Sequence, residues 1–208
     1  MYTLYYSPFA CSFAVHAALK KVGIPFTLEK VDIYKNEHLS SQYLALNPNA
    51  QVPLLIHDDV AITQASAILL YLSERHPDAH LMPSMDSQDR AKALQTLFYL
   101  SNTVHPYFLR LFYPERLSTQ APEEVKALGI KNIEKALHAL NENLATQDYC
   151  ISNTVFAPDY YWLAMLNWTI HHKIDLSPYQ HIHSYLTKMR SRPEIKITFE
   201  KEMESLTL

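Results

Sequence analysis

The chain has 208 residues, 48% of them apolar and 19% charged, with a formal net charge of −3; it can bury the core of one large domain or two small ones and does not read as disordered. The charge balance and the lack of any Lys/Arg-rich run exclude a nucleic-acid surface. No apolar run approaches the roughly 20 residues that span a bilayer, and the opening MYTLYY carries no basic region before an apolar stretch, so no secretory leader is expected.

Residues 2–6 (YTLYY) form a short β-rich run, as a buried strand would. Phe13, Ala14, Ala17, Ala18 and Val22 then make a helical stripe over 11–22, closed by Gly23 at a C-cap position. A strand is predicted over 26–33, a short helix over 39–48 stopped by Pro48, two strands joined at Asp58–Asp59, and a helix over 66–76. The order β-α-β-α-β-β-α fills residues 1–77. Residues 77–87, with two prolines and no periodicity, mark a connection. From 88 onward every segment is helical: 88–113, 123–145 after a break, 158–172, 178–190 and a short helix after Pro193. The expected organisation is an α/β domain over 1–77, a linker over 78–87 and an all-helical domain over 88–208.

Two glycines, Gly23 and Gly129, cannot write a G-x-G-x-x-G turn or a P-loop, which excludes nucleotide binding by those routes. The 11 histidines include no H-E-x-x-H, and there is no C-x-x-C, so no metal site is expected. Two cysteines are too few for a disulfide framework, and a cytoplasmic protein with reduced thiols is the simplest reading. Cys150 reads as a packing residue.

Cys11 stands where the loop SPFAC becomes a helix. Free N–H groups at a helix start stabilise an anion, so a thiolate there is favoured and the thiol pKa is expected to fall. The same residue fits a small buried packing position, and local sequence leaves the two open. In NPNAQVPLLI, Pro53 precedes an apolar strand; a cis bond there would turn the main chain of Val52 outward to pair with an extended peptide.

YYSPFACSFAVHAAL, VDIYKN, NPNAQVPLLI, AILLYL and TVHPYF, in this order and spacing, resemble the glutathione transferase family, and most closely its bacterial, cysteine-containing beta class. The resemblance implies an N-terminal thioredoxin-like domain, an all-α C-terminal domain and a cytoplasmic homodimer. It implies glutathione as co-substrate, no metal, and a small hydrophobic electrophile as partner. Cys11 would be the catalytic cysteine facing the glutathione sulfur, with Tyr6 and His105 beside it. Lys35 would lie near the glycine carboxylate, and Val52 and cis Pro53 on the cysteinyl main chain. Gln64 and Ala65 would face the γ-glutamyl end. Apolar walls for the electrophile would come from Phe9, Phe108, Phe112 and Tyr113, with Leu109 and Tyr160 nearby. The activity implied is conjugation of glutathione to hydrophobic electrophiles, glutathione-dependent thiol–disulfide exchange through Cys11, or both. A glutathione-dependent isomerase or dehalogenase, or a non-catalytic binding member, is the alternative. Plain strand packing for Tyr6, an interhelical hydrogen bond for His105 and helix core for the aromatic wall are the structural alternatives to these roles.

Three departures from the family pattern stand out. TQASAI places Gln64 and Ala65 where Glu-Ser is usual, removing a charge and a hydroxyl; a hydrogen bond to a charged group is worth roughly 1.5–3 kcal/mol, so a weaker hold on glutathione is expected. Ser66, about 100° further round the helix, does not replace it. Phe156 stands at a cap position where Ser or Thr is usual, with Asp159 retained. Phe9 and Phe98 replace smaller or more polar residues near the site.

Overall fold

A computed structural model describes residues 1–206; positions 207–208 of the expected helical domain lie outside the described residues. The strands are β1 (Tyr2–Tyr6), β2 (Phe26–Lys30), β3 (Leu54–His57) and β4 (Val60–Thr63), and the helices of the same region are α1 (Ser12–Val22), α2 (Ser41–Leu46) and α3 (Ala65–Arg75). The sheet order is β2-β1-β3-β4, with β1 parallel to β2 and antiparallel to β3, and β3 antiparallel to β4. This is the thioredoxin-like α/β unit. It is followed by α4 (Gln88–Tyr99), α5 (His105–Phe112), α6 (Pro122–Leu144), α7 (Ala157–His171), α8 (Gln180–Ser191) and α9 (Pro193–Leu206).

α1 is the centre of the molecule. Residues Ser12 through Leu19 are all buried, because α1 lies against β1 and α3 on one side and α7 and α9 on the other. A helix apolar on every face belongs inside, and Ala14, Ala17 and Ala18 let its neighbours approach closely. Gly23 closes it at φ 77°, its N–H on the Leu19 carbonyl at 3.1 Å, as the C-cap reading requires.

Local chemistry sets the element ends. β2 stops at Lys30 rather than 33 because the Asp32 carboxylate accepts from the N–H groups of Tyr34 and Lys35, at 3.0 and 3.2 Å, and starts a 3₁₀ turn over Ile33–Lys35. The helix expected over 88–113 is divided by a π-helical turn, Leu100–Val104, in which the His105 N–H reaches back to the Leu100 carbonyl. Pro106, at the start of α5, has no N–H to continue the α-helical ladder, and such wide turns re-aim the residues that follow. α5 and α6 touch at Gly129, where a Cβ would lie 3.0 Å from the Tyr107 carbonyl oxygen. Only half of a capping box remains at α7: Asp159 accepts from the Phe156 N–H at 2.9 Å. Its other oxygen takes the Cys150 N–H and the Tyr185 hydroxyl, at 2.9 and 3.1 Å, while the Asp159 N–H, for which the missing hydroxyl would be the acceptor, donates to the Phe156 carbonyl at 2.9 Å. Cys150 is buried, as expected of a packing residue.

Candidate active site at the end of the sheet

The strand register brings four loops to one edge. Tyr6 pairs with Lys30, Tyr5 with Leu54, and Leu54 with Thr63. The segments that follow β1 and β2, precede β3 and follow β4 therefore leave the same end of the sheet. They carry Cys11, Lys35, Val52–Pro53 and Gln64–Ala65. The Val52–Pro53 bond is cis. The Cys11 thiol donates to the Val52 carbonyl at 3.3 Å, so the sulfur and the main chain that would hold an extended peptide meet within one hydrogen bond. The loop before Pro53 is set from beneath: the Tyr43 hydroxyl and the Asn47 amide both donate to the Gln51 carbonyl, at 2.6 and 2.7 Å.

The expected thiolate is overturned. The N–H groups of Cys11 and Ser12 do pull the thiol pKa down, as a helix start should, but burial wins and pushes it up to about 12. Cys11 is only 9% exposed. It is therefore a neutral S–H donor at neutral pH. Ionised, it would raise both Tyr43 and Tyr161, so both phenols lie within electrostatic reach of the sulfur.

Behind the cysteine the loop is clamped by the helical region. Phe9 adopts φ 56°, a left-handed conformation that costs any residue with a Cβ about 1 kcal/mol or more. Both of its backbone polar groups are taken by side chains: the N–H donates to Glu202 at 2.6 Å and the carbonyl accepts from Trp168 Nε1 at 2.7 Å. The second Glu202 oxygen meets His16 Nδ1 at 2.9 Å, both side chains fully buried. Burial pushes the Glu202 carboxyl up, against the His16 and Phe9 bonds that pull it down. The sequence reading missed Glu202, although a histidine in the apolar run FAVHAAL signals a buried partner. Tyr43, Tyr161 and Trp168 were likewise missed, being aromatic residues in ordinary apolar surroundings.

His105 is partly buried. Its Nδ1 shares a hydrogen bond with the Tyr161 hydroxyl at 2.8 Å and its ring lies 5.0 Å from that of Trp168. Burial pushes its pKa down to about 4, so the imidazole is neutral near pH 7. Two predicted wall residues are placed differently. The Phe9 ring packs on Phe13 and Phe199, 6.0 and 5.1 Å away, because the backbone clamp turns it toward α9. Phe108 is 0% exposed, packed against Phe112 and Trp168, and is core. Phe112 and Tyr113 are half-buried; Phe112 stacks on His172 at 4.7 Å and Arg116 covers the Tyr113 ring at 3.9 Å. Leu109 is exposed and Tyr160 is core.

Tyr6 is buried on the α1 side of the sheet, its ring 5.8 Å from that of His16, and its hydroxyl makes no hydrogen bond to Cys11: strand packing is its place here. Lys35 is exposed, 3.6 Å from Asp32. Gln64 caps α3 from φ 70°, with its side chain exposed and bonding no N–H of the helix. Ala65 is buried behind it, and the Ser66 hydroxyl turns away to the Leu97 carbonyl at 3.2 Å.

A thioredoxin-like sheet whose peptide-binding end faces a cysteine at the first helix, backed by a helical bundle, defines a glutathione-handling fold. Residues 1–74 match the glutathione S-transferase N-terminal domain family. The chain is 33% identical to Glutathione S-transferase GstA of Escherichia coli O157:H7, over 96% of this chain and 98% of that one. It superposes on a sphingomonad glutathione S-transferase solved with glutathione, TM-score 0.86, 33% identity, covering 96% and 98% of the two chains. A bacterial beta-class enzyme from Sphingomonas chungbukensis gives TM-score 0.86 at 30% identity with the same coverage. The chain belongs to the glutathione S-transferase family.

Proposed function

We propose that this family member conjugates glutathione to hydrophobic electrophiles, with glutathione laid across the end of the sheet. Its cysteinyl main chain pairs with Val52 beside Pro53, its γ-glutamyl end meets Gln64 and the Ala65 N–H at the start of α3, and Lys35 faces its glycine carboxylate. The α3 N-terminus favours that γ-glutamyl carboxylate. The observation that carries this reading is the Cys11 thiol on the Val52 carbonyl. A peptide N–H arriving at Val52 competes for that carbonyl and frees the Cys11 S–H to donate to the incoming sulfur. A hydrogen bond to a sulfur anion stabilises it and lowers the glutathione thiol pKa, so that the thiol gives its proton to solvent and becomes a nucleophile. His105, a neutral imidazole bonded to Tyr161, supplies a second donor to that sulfur. Phe112 and Tyr113 flank the electrophile.

Thiol–disulfide exchange needs Cys11 itself as thiolate. With its pKa near 12, ionisation at pH 7 costs roughly 7 kcal/mol, so exchange is the minor chemistry. In the cell the protein works in the cytoplasm as a homodimer whose interface covers Phe98 and Tyr99, exposed on α4; residues 78–87 join its two domains, 1–77 and 88–208. Sedimentation of the wild type should give twice the 24.0 kDa chain mass, and a monomer would remove the dimer from this reading.

Calorimetry with glutathione, together with conjugation and mixed-disulfide reduction assays, tests the rest on wild type and Cys11→Ala. Conjugation should fall about tenfold or less in Cys11→Ala, while the slow disulfide reduction disappears. No binding at millimolar glutathione, or disulfide reduction outpacing conjugation at pH 7, overturns it.

A further inference from the structure

Tyr161 is a buried titratable group, 2% exposed, for which the chemistry above has no use. Its hydroxyl makes one hydrogen bond among the described residues, to Nδ1 of His105 at 2.8 Å, with the rings edge to face at 6.1 Å. A buried hydroxyl proton needs an acceptor, and Nδ1 is the one it has. Tyr161 therefore donates, Nδ1 carries the lone pair, and the proton of the neutral ring sits on Nε2. Tyr161 and Trp168 are seven residues apart on α7 and share its face; Trp168 touches the same imidazole and also holds the Phe9 carbonyl, two residues before Cys11. One face of α7 thus fixes the imidazole and the cysteine loop together.

We propose that Tyr161 is a positioning residue that locks His105 in the Nε2–H tautomer, so that the imidazole presents a donor and not a lone pair to the reacting sulfur. Burial pushes the Tyr161 hydroxyl well above its ordinary value, which keeps it a donor at every pH at which the enzyme works. The inference rests on the conjugation reading for its kinetic consequence, but the tautomer does not depend on it.

The test uses the full chain and Tyr161→Phe, a substitution that keeps the ring. Long-range ¹H–¹⁵N spectra of the histidine rings, with His105 assigned by comparison with His105→Gln, should show the Nε2–H form in wild type and a mixture of tautomers in Tyr161→Phe. In a conjugation assay kcat should fall about three- to tenfold, the worth of one neutral hydrogen bond, while the KM for glutathione stays within twofold. A thermal melt of Tyr161→Phe guards against a folding defect. An Nδ1–H tautomer in wild type, or an unchanged tautomer and kcat in Tyr161→Phe, overturns the inference. A wild type without conjugating activity but with the Nε2–H tautomer would sink the proposed function and leave the tautomer lock standing.

Discussion

The two ends of the proposed glutathione cradle are built in opposite ways. At the sulfur end Cys11 is buried, bonded to Val52, within electrostatic reach of Tyr43 and Tyr161, and held from behind through Phe9 by Glu202 and Trp168. At the γ-glutamyl end an exposed Gln64 in a left-handed conformation caps α3 without bonding it, and Ala65 offers only its N–H. The difference teaches that the position of the Cys11 sulfur is fixed by the interior of the protein, whereas Gln64, at the proposed γ-glutamyl end, is a surface residue that single substitutions can alter without disturbing the core. The sulfur end carries a thiol that resists ionisation; the other end is open and offers fewer polar groups.

The largest effect is expected from Glu202→Ala. It strands a buried imidazole and the Phe9 N–H, and breaking a buried pair by removing one partner costs about 3–5 kcal/mol; urea unfolding measures it, and a loss under 1 kcal/mol would mean that the sulfur end is not held from behind. Next comes acid. His105 is pushed down from 6.5 to about 4, so between those values the unfolded chain binds the proton that the native protein refuses. Stability is intact above pH 6.5 and is lost as pH falls, by roughly 2–3 kcal/mol at pH 4.5. Unfolding curves of His105→Gln should lack that share of the acid loss, and parallel curves for the two proteins would show that the ring is not desolvated. At the opposite end Gln64→Glu restores a charge toward the glutathione ammonium and should tighten binding about tenfold by calorimetry; unchanged affinity would place the γ-glutamyl group elsewhere. Gln64→Gly should have the smallest effect, a gain of about 1 kcal/mol or less, because the release of φ 70° is partly offset by backbone entropy. A loss of stability there would mean that the glutamine side chain contributes more than its backbone costs.

Much of this was readable from residues alone. The strand and helix order followed from local periodicity and the C-cap at Gly23 from residue chemistry, whereas the cis bond before Pro53 was implied only by the family resemblance. The turn of Ser66 away from the cradle followed from helix geometry. What failed was set by residues distant in sequence. The Cys11 pKa reversed because α7 and α9, more than a hundred residues on, cover the helix start whose N–H groups were the visible signal. The ring of Phe9 left the site because Glu202 and Trp168 hold its backbone, and Phe108 proved to be core because Trp168 fills the space beside it. Tyr6 packs inward because alternation along β1 gives it the same face as Tyr2 and Leu4. The π turn before His105 has a local cause in Pro106, yet an otherwise continuous apolar stripe concealed it.

The contact between Phe9 and Glu202 spans 193 residues, and that separation has a meaning on the ribosome. At 5–20 residues per second, the α/β region, whose last helix ends at Arg75, has been synthesised about 6–25 s before the carboxylate that fastens its cysteine loop is made. During that interval α1, buried all round in the finished protein, has one flank without its helical cover. A nascent chain stalled before residue 202 should therefore bind chaperones at α1, and its thiol should react with soluble alkylating reagents that the released protein resists.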